Sequence, residues 1–198
     1  MLLSRRSLIA IAAASVLFGA PAPALAAPGA EATLKAKQVE LTDLVKKDDK
    51  AKLDRAFDDI LDYATLAKDS LGDLWAERKA EERAEFQKLL TEIVRGAYRK
   101  SIKRTLSYDV EYKGESKIEG GTLVRTVAKS RENSREEPIS LDYGMHEVGG
   151  RFRIRDIVTD GASLVANYRN QFRRVVKQQG FPELLNRMRK KIDKGETE

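Results

Sequence analysis

The stretch of residues 151–172 changes its hydrophobic period halfway along, and this change constrains the fold more than any other feature of the sequence. Phe152 and Ile154 alternate with arginines, which is the period-two pattern of a half-buried strand. An Asp-Gly pair then breaks the strand. From Leu164 onward, apolar residues recur every four positions, as on the buried stripe of an amphipathic helix. The sequence therefore predicts a strand, a tight turn and a helix in direct succession.

Asp156 interrupts this pattern, because it continues the alternating series of Phe152 and Ile154. Alternation alone predicts that its carboxylate points to the apolar face, where an unpaired charge is costly. Two interpretations remain open. The carboxylate accepts hydrogen bonds from the following loop, which includes Ser163, itself placed to cap the helix. Alternatively, it is a polar group at the rim of a cavity.

The remaining sequence indicates helices first, then strands, then helices again. Helical spacing of apolar residues predicts helices within 34–45, 53–61, 66–75 and 81–102. Alternation then predicts four antiparallel strands, with Leu106 in the first strand and Gly114 at its turn. A further helix ends at Gly180, and Pro182 begins the last one. This order predicts an α+β domain whose helices cover one face of a four-stranded sheet. Such a sheet can curl into an NTF2-like cone around an apolar cavity, although the same stripes also suit a filled core.

The N-terminus has the composition of a signal peptide. A positive start at Arg5-Arg6 precedes an apolar run too short to span a membrane, and Ala24-Leu25-Ala26 forms a small-residue cleavage site. The sequence therefore predicts a cleaved segment, residues 1–26, and one exported domain, residues 27–198. The paired arginines suit either the Sec or the twin-arginine route.

The composition excludes several kinds of chemistry. The chain has no cysteine and one histidine, so neither thiol chemistry nor a two-histidine metal site is available. We expect His146 to be exposed on the polar face of its strand. No nucleophile elbow and no phosphate-binding glycine loop is evident, so the sequence predicts no cofactor and no metal.

Positive charge is concentrated at the C-terminus. Between Arg169 and Lys194 there are nine Lys or Arg residues, against Glu183 and Asp193. This segment is either an ordinary solvated surface or a surface that attracts anionic lipid headgroups or an acidic partner. Nucleic acid is not expected, because no platform of aromatic and basic residues accompanies the charge.

The stretch that ends at Phe172 resembles the signature of the MlaC, or toluene-tolerance, family of periplasmic phospholipid-binding proteins of the Mla pathway. A second block, Leu71-Gly72-Asp73-Leu74-Trp75 with Phe86, Leu90 and Tyr98 downstream, resembles the middle region of that family. Phe152 stands where the family usually has Trp, so a large apolar residue is kept at this position. The matching signature residues are Asp156, Asp160, Gly161, Ser163, Leu164, Asn167, Tyr168, Arg169, Gln171 and Phe172.

The resemblance implies a periplasmic lipid carrier that is not an enzyme. It would shuttle glycerophospholipids between an outer-membrane lipoprotein complex and an inner-membrane ABC transporter with an MCE-domain subunit. The expected lipid-binding cavity is lined by Leu74, Trp75, Phe86, Leu90, Ile93, Tyr98, Tyr108, Val110, Val124, Leu141, Tyr143, Phe152, Ile154, Leu164, Tyr168 and Phe172. Its expected rim consists of Asp156, Ser163, Asn167 and Arg169.

Three alternatives remain open beside the phospholipid carrier. An NTF2-like isomerase or hydratase would use Asp156 as a base in the cavity and Tyr108 or Tyr143 as a proton donor. A related carrier would take hopanoids instead of phospholipids. A scaffold subunit would have a filled core and would bind its partner through the basic C-terminal helices.

Overall fold

The computed structural model describes residues 28–195, so the predicted signal peptide lies outside the described residues. Within this range, helices precede and follow the strands of an antiparallel sheet along the chain, as predicted. The α-helices are α1 (Ala30–Lys46), α2 (Lys50–Ile60), α3 (Tyr63–Leu71), α4 (Ala80–Ser101), α5 (Leu164–Gln179) and α6 (Phe181–Asp193). The strands are β1 (Tyr108–Ile118), β2 (Gly121–Ser130), β3 (Ile139–Val148), β4 (Arg151–Thr159) and β5 (Ala162–Ser163). Short 3-10 helices, Gly72–Trp75 and Ile102–Ser107, follow α3 and α4.

The turn from β4 into α5 forms as the change of period predicts. The Ser163 hydroxyl accepts a hydrogen bond from the Ala166 N–H at 3.0 Å and so caps α5. At the other end of α5, Gly180 has a φ of 84°, a conformation that side chains with a Cβ rarely adopt. Pro182 then stands in the first turn of α6. Both predicted ends of α5 are confirmed.

The sheet is a curled meander in the order β1-β2-β3-β4-β5, and it is not closed. The predicted α+β class is confirmed, with one difference in strand number. The fifth strand has only two residues, Ala162 and Ser163, which pair with Val158 and Thr159. Alternation cannot be recognised over so short a segment, so the sequence predicts four strands.

Two details of the first strand differ from the sequence prediction. Leu106 lies in a 3-10 helix, where it packs against the small cluster of Val45, Leu53 and Ile102 instead of extending β1. Gly114 does not turn the chain. It stands in a register shift between Tyr112 and Glu115, with a φ of 93°, and β1 continues to Ile118. A bulge of this kind needs the same backbone freedom as a turn, so glycine alone does not distinguish them.

A second register shift, between Gly144 and Met145 of β3, decides which way Asp156 points. Ile154 pairs with Met145, but Asp156 pairs with Gly144, and Ile157 pairs with Tyr143. Because paired residues of neighbouring strands share a face, Asp156 lies on the opposite face from Ile154. The prediction that Asp156 points to the apolar face is therefore wrong, and Ile157 takes that position.

The core lies between the sheet and the helices. Phe86 of α4 is completely buried, and its ring meets the Phe172 ring edge-on, with centroids 5.3 Å apart. Phe181 of α6 lies on the same side, with its centroid 6.2 Å from that of Phe86. From the sheet, Met145 and Ile154 join the same buried cluster. None of the helices within residues 28–195 is long and apolar enough to cross a bilayer.

Two ion pairs fix α4 against α2. The Arg95 guanidinium donates to both oxygens of Asp58, at 2.8 and 2.6 Å, and the Tyr63 hydroxyl donates to the same carboxylate at 2.9 Å. One turn further along α4, Arg99 binds Asp54 in the same two-point manner. The hydrogen bonds that Arg95 donates to Asp58 raise the pKa of Arg95, although its partial burial acts in the opposite direction. Such two-point pairs hold the orientation of α4 relative to α2.

His146 is not the exposed residue that its strand position predicts. Its side chain is only 18% exposed, and Nε2 lies 2.9 Å from Oδ2 of Asp62. Asp62 caps α3 by accepting hydrogen bonds from the N–H and the hydroxyl of Thr65. The contact joins residues 84 positions apart in the sequence, which alternation within one strand cannot reveal. His146 thus links the start of α3 to the sheet.

We expect Asp62→Asn to lower the free energy of unfolding by about 1 kcal/mol at pH 7, because hydrogen bonds to a charged acceptor are stronger than those to a neutral one. Partial burial alone raises the pKa of Asp62, but the hydrogen bonds from Thr65 and His146 outweigh it and hold the pKa below its usual 3.8. The stabilisation is therefore present above that pH and is lost as the pH falls through the lower folded value.

Urea unfolding of wild type and variant between pH 7 and pH 3 measures this difference. It should shrink as the solution becomes acidic, since the protonated carboxyl and the amide are then both neutral. A difference of constant size across this range would contradict an electrostatic role for Asp62.

Candidate functional site

We define the inner face of the sheet as the face that carries Met145 and Ile154 into the core. The strand register determines which residues share it. Moving across the sheet, the inner-face rows are Val110, Ala128 and Ile139, then Tyr112, Thr126 and Leu141, then Val124, Tyr143 and Ile157. Apart from Thr126 these side chains are apolar or aromatic, so the face offers an extended surface for an apolar ligand.

The helices cover this inner face unevenly. Val124, Met145 and Ile154 are fully buried in the core. Val110 and Leu141, by contrast, are only half-buried, and neither belongs to the packed clusters of the described chain. We call Val110, Leu141 and Ile139, which is also half-buried, the open patch. Apolar residues that retain this much accessible surface are not part of a close-packed core.

Two phenols lie between α4 and the inner face. The Tyr98 ring stacks on Phe57 of α2, with centroids 3.4 Å apart, and burial raises the pKa of its hydroxyl. That hydroxyl is itself buried and makes no hydrogen bond to any residue within 28–195. Burial likewise raises the pKa of Tyr143, which sits next to the open patch. Both groups are therefore neutral hydrogen-bond donors and not acids poised for catalysis.

The sixteen residues predicted to line a cavity fall into two groups in the structure. Phe86, Leu90, Ile93, Val124, Ile154 and Phe172 are buried in the core. The others are half-buried, and they are Leu74, Trp75, Tyr98, Tyr108, Val110, Leu141, Tyr143, Phe152, Leu164 and Tyr168. The structure thus places some predicted residues in packed interior and others on partly open surface.

Three half-buried inner-face residues, Tyr112, Ile139 and Ile157, do not figure in that predicted set. Tyr112 and Ile139 both follow the alternation of their strands, so the same pattern would have found them. The Tyr112 hydroxyl donates to the side-chain oxygen of Gln38 in α1, and burial raises its pKa to about 12. Ile157 reaches the inner face only through the register shift in β3, for which the sequence gives no signal.

Asp156, expected at the cavity rim, has both carboxylate oxygens occupied. Oδ1 accepts hydrogen bonds from the N–H groups of Ile157 and Val165, at 2.9 and 3.1 Å. Oδ2 accepts a hydrogen bond from the Ser163 hydroxyl at 2.6 Å. The interpretation as a structural hydrogen-bond acceptor is confirmed, since this carboxylate fastens β4 to the start of α5. Because both oxygens of this carboxylate accept hydrogen bonds from the protein itself, Asp156 is not placed to act as a base.

The other two predicted rim residues have different surroundings. Asn167 is exposed on α5. Arg169 is half-buried, and its Nε donates to the Asp69 carbonyl of α3 at 2.8 Å. The Asp69 carboxylate in turn accepts from Arg155 at 2.6 Å. Arg169 therefore connects α5 to the C-terminal end of α3, where carbonyl groups lack partners within the helix.

A separate groove of about 210 Å³ lies where α4, α5 and α6 meet; we call it the α4–α6 groove. Three of its lining residues belong to the predicted cavity set, namely Ile93, Tyr168 and Phe172. Its remaining lining residues are Gln171, Val175, Leu184, Arg187, Met188 and Lys191. Apolar side chains form most of the groove, and two cations stand among them.

The profile of the MlaC protein family matches residues 31–190. The chain belongs to the MlaC family. This confirms the resemblance that the 151–172 stretch indicates, and it extends over nearly all of the described residues. None of the curated proteins compared with this chain matches it.

Among solved structures, a phospholipid-binding protein from Ralstonia solanacearum in complex with a phospholipid is similar, with a TM-score of 0.72 and 20% sequence identity. The match covers 85% of this chain and 99% of that one. At this level of identity the likeness establishes the fold alone. The curled sheet with flanking helices is thus an arrangement that this MlaC family chain shares with the Ralstonia protein.

Proposed function

We propose that this MlaC family chain binds a glycerophospholipid between the open patch and the helices, with the acyl chains against the inner face of the sheet. The observation that carries the proposal is that Val110, Ile139 and Leu141 remain half-buried on a face whose other end, at Val124, Met145 and Ile154, is packed into the core. A protein of the same fold is known in complex with a phospholipid, which supports the same use of this space.

Burial energetics give such a protein a role in transport. Each CH₂ group removed from water contributes about 0.8 kcal/mol, so a long acyl chain contributes on the order of 10 kcal/mol. A free phospholipid therefore does not leave a membrane for water at a useful rate. A protein interior that replaces the membrane interior makes the transfer nearly neutral, so that lipid can be both loaded and released.

The proposed setting is the periplasm, with residues 1–26 as the export signal. There the protein carries glycerophospholipids between an outer-membrane lipoprotein complex and the MCE-domain subunit of an inner-membrane ABC transporter. Because a neutral exchange has no preferred direction, those partners set the direction of transport. Membership of the MlaC family supports this setting.

The geometry argues against the enzyme alternative. Asp156 and Tyr143 lie on opposite faces of the sheet, so they cannot act on one substrate as base and proton donor. Both carboxylate oxygens of Asp156 are already hydrogen-bonded. Tyr108, the other proposed donor, gives its hydroxyl hydrogen to Glu136 at 2.9 Å in the loop after β2. A binding protein accounts for this arrangement better than an isomerase or hydratase does.

Extraction of the purified protein with organic solvent, followed by mass spectrometry, tests the proposal. We expect about equal amounts of glycerophospholipid and protein, as for one site filled by a slowly exchanging ligand. Hopanoid in the extract would favour the hopanoid-carrier alternative. An extract free of any lipid, from protein that also fails to take up phospholipid from vesicles, would favour the scaffold and overturn the proposal.

A further inference from the structure

The α4–α6 groove has a chemistry that acyl-chain binding at the open patch does not use. Val175 of α5 and Leu184 and Met188 of α6 form part of its apolar lining. Arg187 and Lys191 of α6, one helical turn apart, line the same groove. An apolar trough with cations on one side matches an amphiphile that has an anionic head and a hydrocarbon chain.

The charge around the groove is strongly one-sided. Helix α5 carries Arg169, Arg173, Arg174 and Lys177 and no acidic residue. In α6, Glu183 accepts from Arg187, and Arg189 is paired with Glu85 of α4. The salt bridges therefore neutralise part of α6. Within the part of the chain that the structure describes, the single ion pair of α5 is a 3.9 Å contact between Arg173 and Asp73.

Lys191 is the informative cation, because it is half-buried at the groove and has no ion pair with any residue in 28–195. An ammonium group that stands beside an apolar groove without a counter-charge is attracted to an anionic partner. Its neighbour Arg187 is held in place by Glu183 at 3.1 Å and by the Gln179 side chain at 2.7 Å. The groove thus combines one fixed guanidinium with one ammonium that lacks a counter-charge among the described residues.

We propose that the α4–α6 groove is a second lipid-contact site, which binds a phospholipid at the surface of an anionic bilayer. The phosphate lies against Lys191 and Arg187, and the first part of one acyl chain lies on the apolar lining. The site docks the protein on the membrane. This docking site is separate from the proposed acyl-chain site at the open patch, which we call the cargo site. Docking on the membrane does not require the cargo site to hold lipid.

The size of the groove favours a lipid over a protein partner. Its volume of about 210 Å³ is below the roughly 300–1,000 Å³ of pockets that enclose a whole small ligand. It therefore accommodates part of one chain. A partner helix would need an extended groove that accepts residues over two or more turns, with anchors at i, i+4 and i+7.

The test measures flotation of the protein with vesicles made of equal parts phosphatidylcholine and phosphatidylglycerol, and with vesicles of phosphatidylcholine alone. Lys191→Gln should weaken binding to the anionic vesicles about fivefold, which is the contribution expected of one lysine near an anionic surface. Lys190→Gln is the matched control. Lys190 is the adjacent residue, is exposed and does not line the groove, so its loss should be about twofold or less.

Val175→Gln tests the apolar part of the groove without changing the charge. It should also weaken anionic-vesicle binding by about threefold or more, because the acyl segment loses part of its apolar contact. Circular dichroism shows whether Val175→Gln is folded. If Val175→Gln does not fold, the comparison of Lys191→Gln with Lys190→Gln alone tests the proposal. In all three variants the copurifying lipid should equal that of the wild type, which separates this site from the cargo site.

Equal losses in Lys190→Gln and Lys191→Gln would overturn the proposal, since they would indicate a diffuse basic surface with no specific groove. Wild-type affinity of Lys191→Gln for the anionic vesicles would also overturn it. If that variant then failed to bind a periplasm-facing protein partner, the groove would be assigned to protein recognition instead.

Discussion

Leu141→Trp should give a protein that folds like the wild type but copurifies with severalfold less lipid. Leu141 lies in the open patch, where its side chain keeps accessible surface instead of packing into the buried clusters. A larger side chain can enter such a space with little strain, and it then competes with the acyl chain. In a filled core, the same enlargement would cost roughly 1–3 kcal/mol.

Leu123→Trp is the matched control for this experiment. Leu123 is the same residue type on the neighbouring strand, and it pairs with Gly144, on the face opposite to the inner face. Its replacement should leave the lipid content unchanged. Lipid per protein is measured by mass spectrometry, and thermal unfolding is measured on delipidated samples, because bound lipid stabilises the folded state by mass action.

The result that would contradict a lipid space at Leu141 is a delipidated variant that melts far below the delipidated wild type. Such strain would show that the residue belongs to a close-packed core. Unchanged lipid content in a stable variant would instead show that the acyl chains lie elsewhere.

Phe86→Ala should lower the free energy of unfolding by about 3–5 kcal/mol, the largest effect that we expect of any single substitution here. Phe86 is completely buried, and its ring contacts those of Phe172 in α5 and Phe181 in α6. Removing the ring leaves a cavity where three helices meet. For a protein of this size the melting temperature should fall by about 10 °C.

Urea unfolding of delipidated protein measures the loss, with Val39→Ala as the control. Val39 on α1 is 64% exposed, so its truncation should change the free energy of unfolding by about 0.5 kcal/mol or less. A Phe86→Ala loss as small as that of Val39→Ala would mean that α4 is not held by the shared aromatic cluster.

The sequence was most informative where a single local period determines the structure. Helix α5 begins after Ser163 and ends before Gly180, as their residue types predict. A hydroxyl that caps a helix and a glycine with positive φ both act within one turn of the chain. The alternation of β3 likewise identified Leu141 and Tyr143 as neighbours on one face. These predictions succeeded because every interaction that they need is local in sequence.

The sequence was misleading where pairing between strands intervenes. Asp156 follows two inward residues, and only the register shift against β3 turns it to the other face and brings Ile157 inward. His146 looks like an exposed strand residue, yet it meets Asp62 from a helix 84 positions away. Neither outcome is encoded in a local pattern, because both depend on how separate segments align.

The chain alone therefore determined its family, its α+β class, the position of α5 and the apolar identity of the inner face. Only the tertiary structure decided which of those apolar residues are packed and which retain accessible surface. Phe86 and Leu141 both lie on apolar stripes, but helices close around the first and leave the second partly uncovered. The physical reason is that hydropathy records a preference for leaving water, whereas packing depends on which side chains from distant segments fill the space.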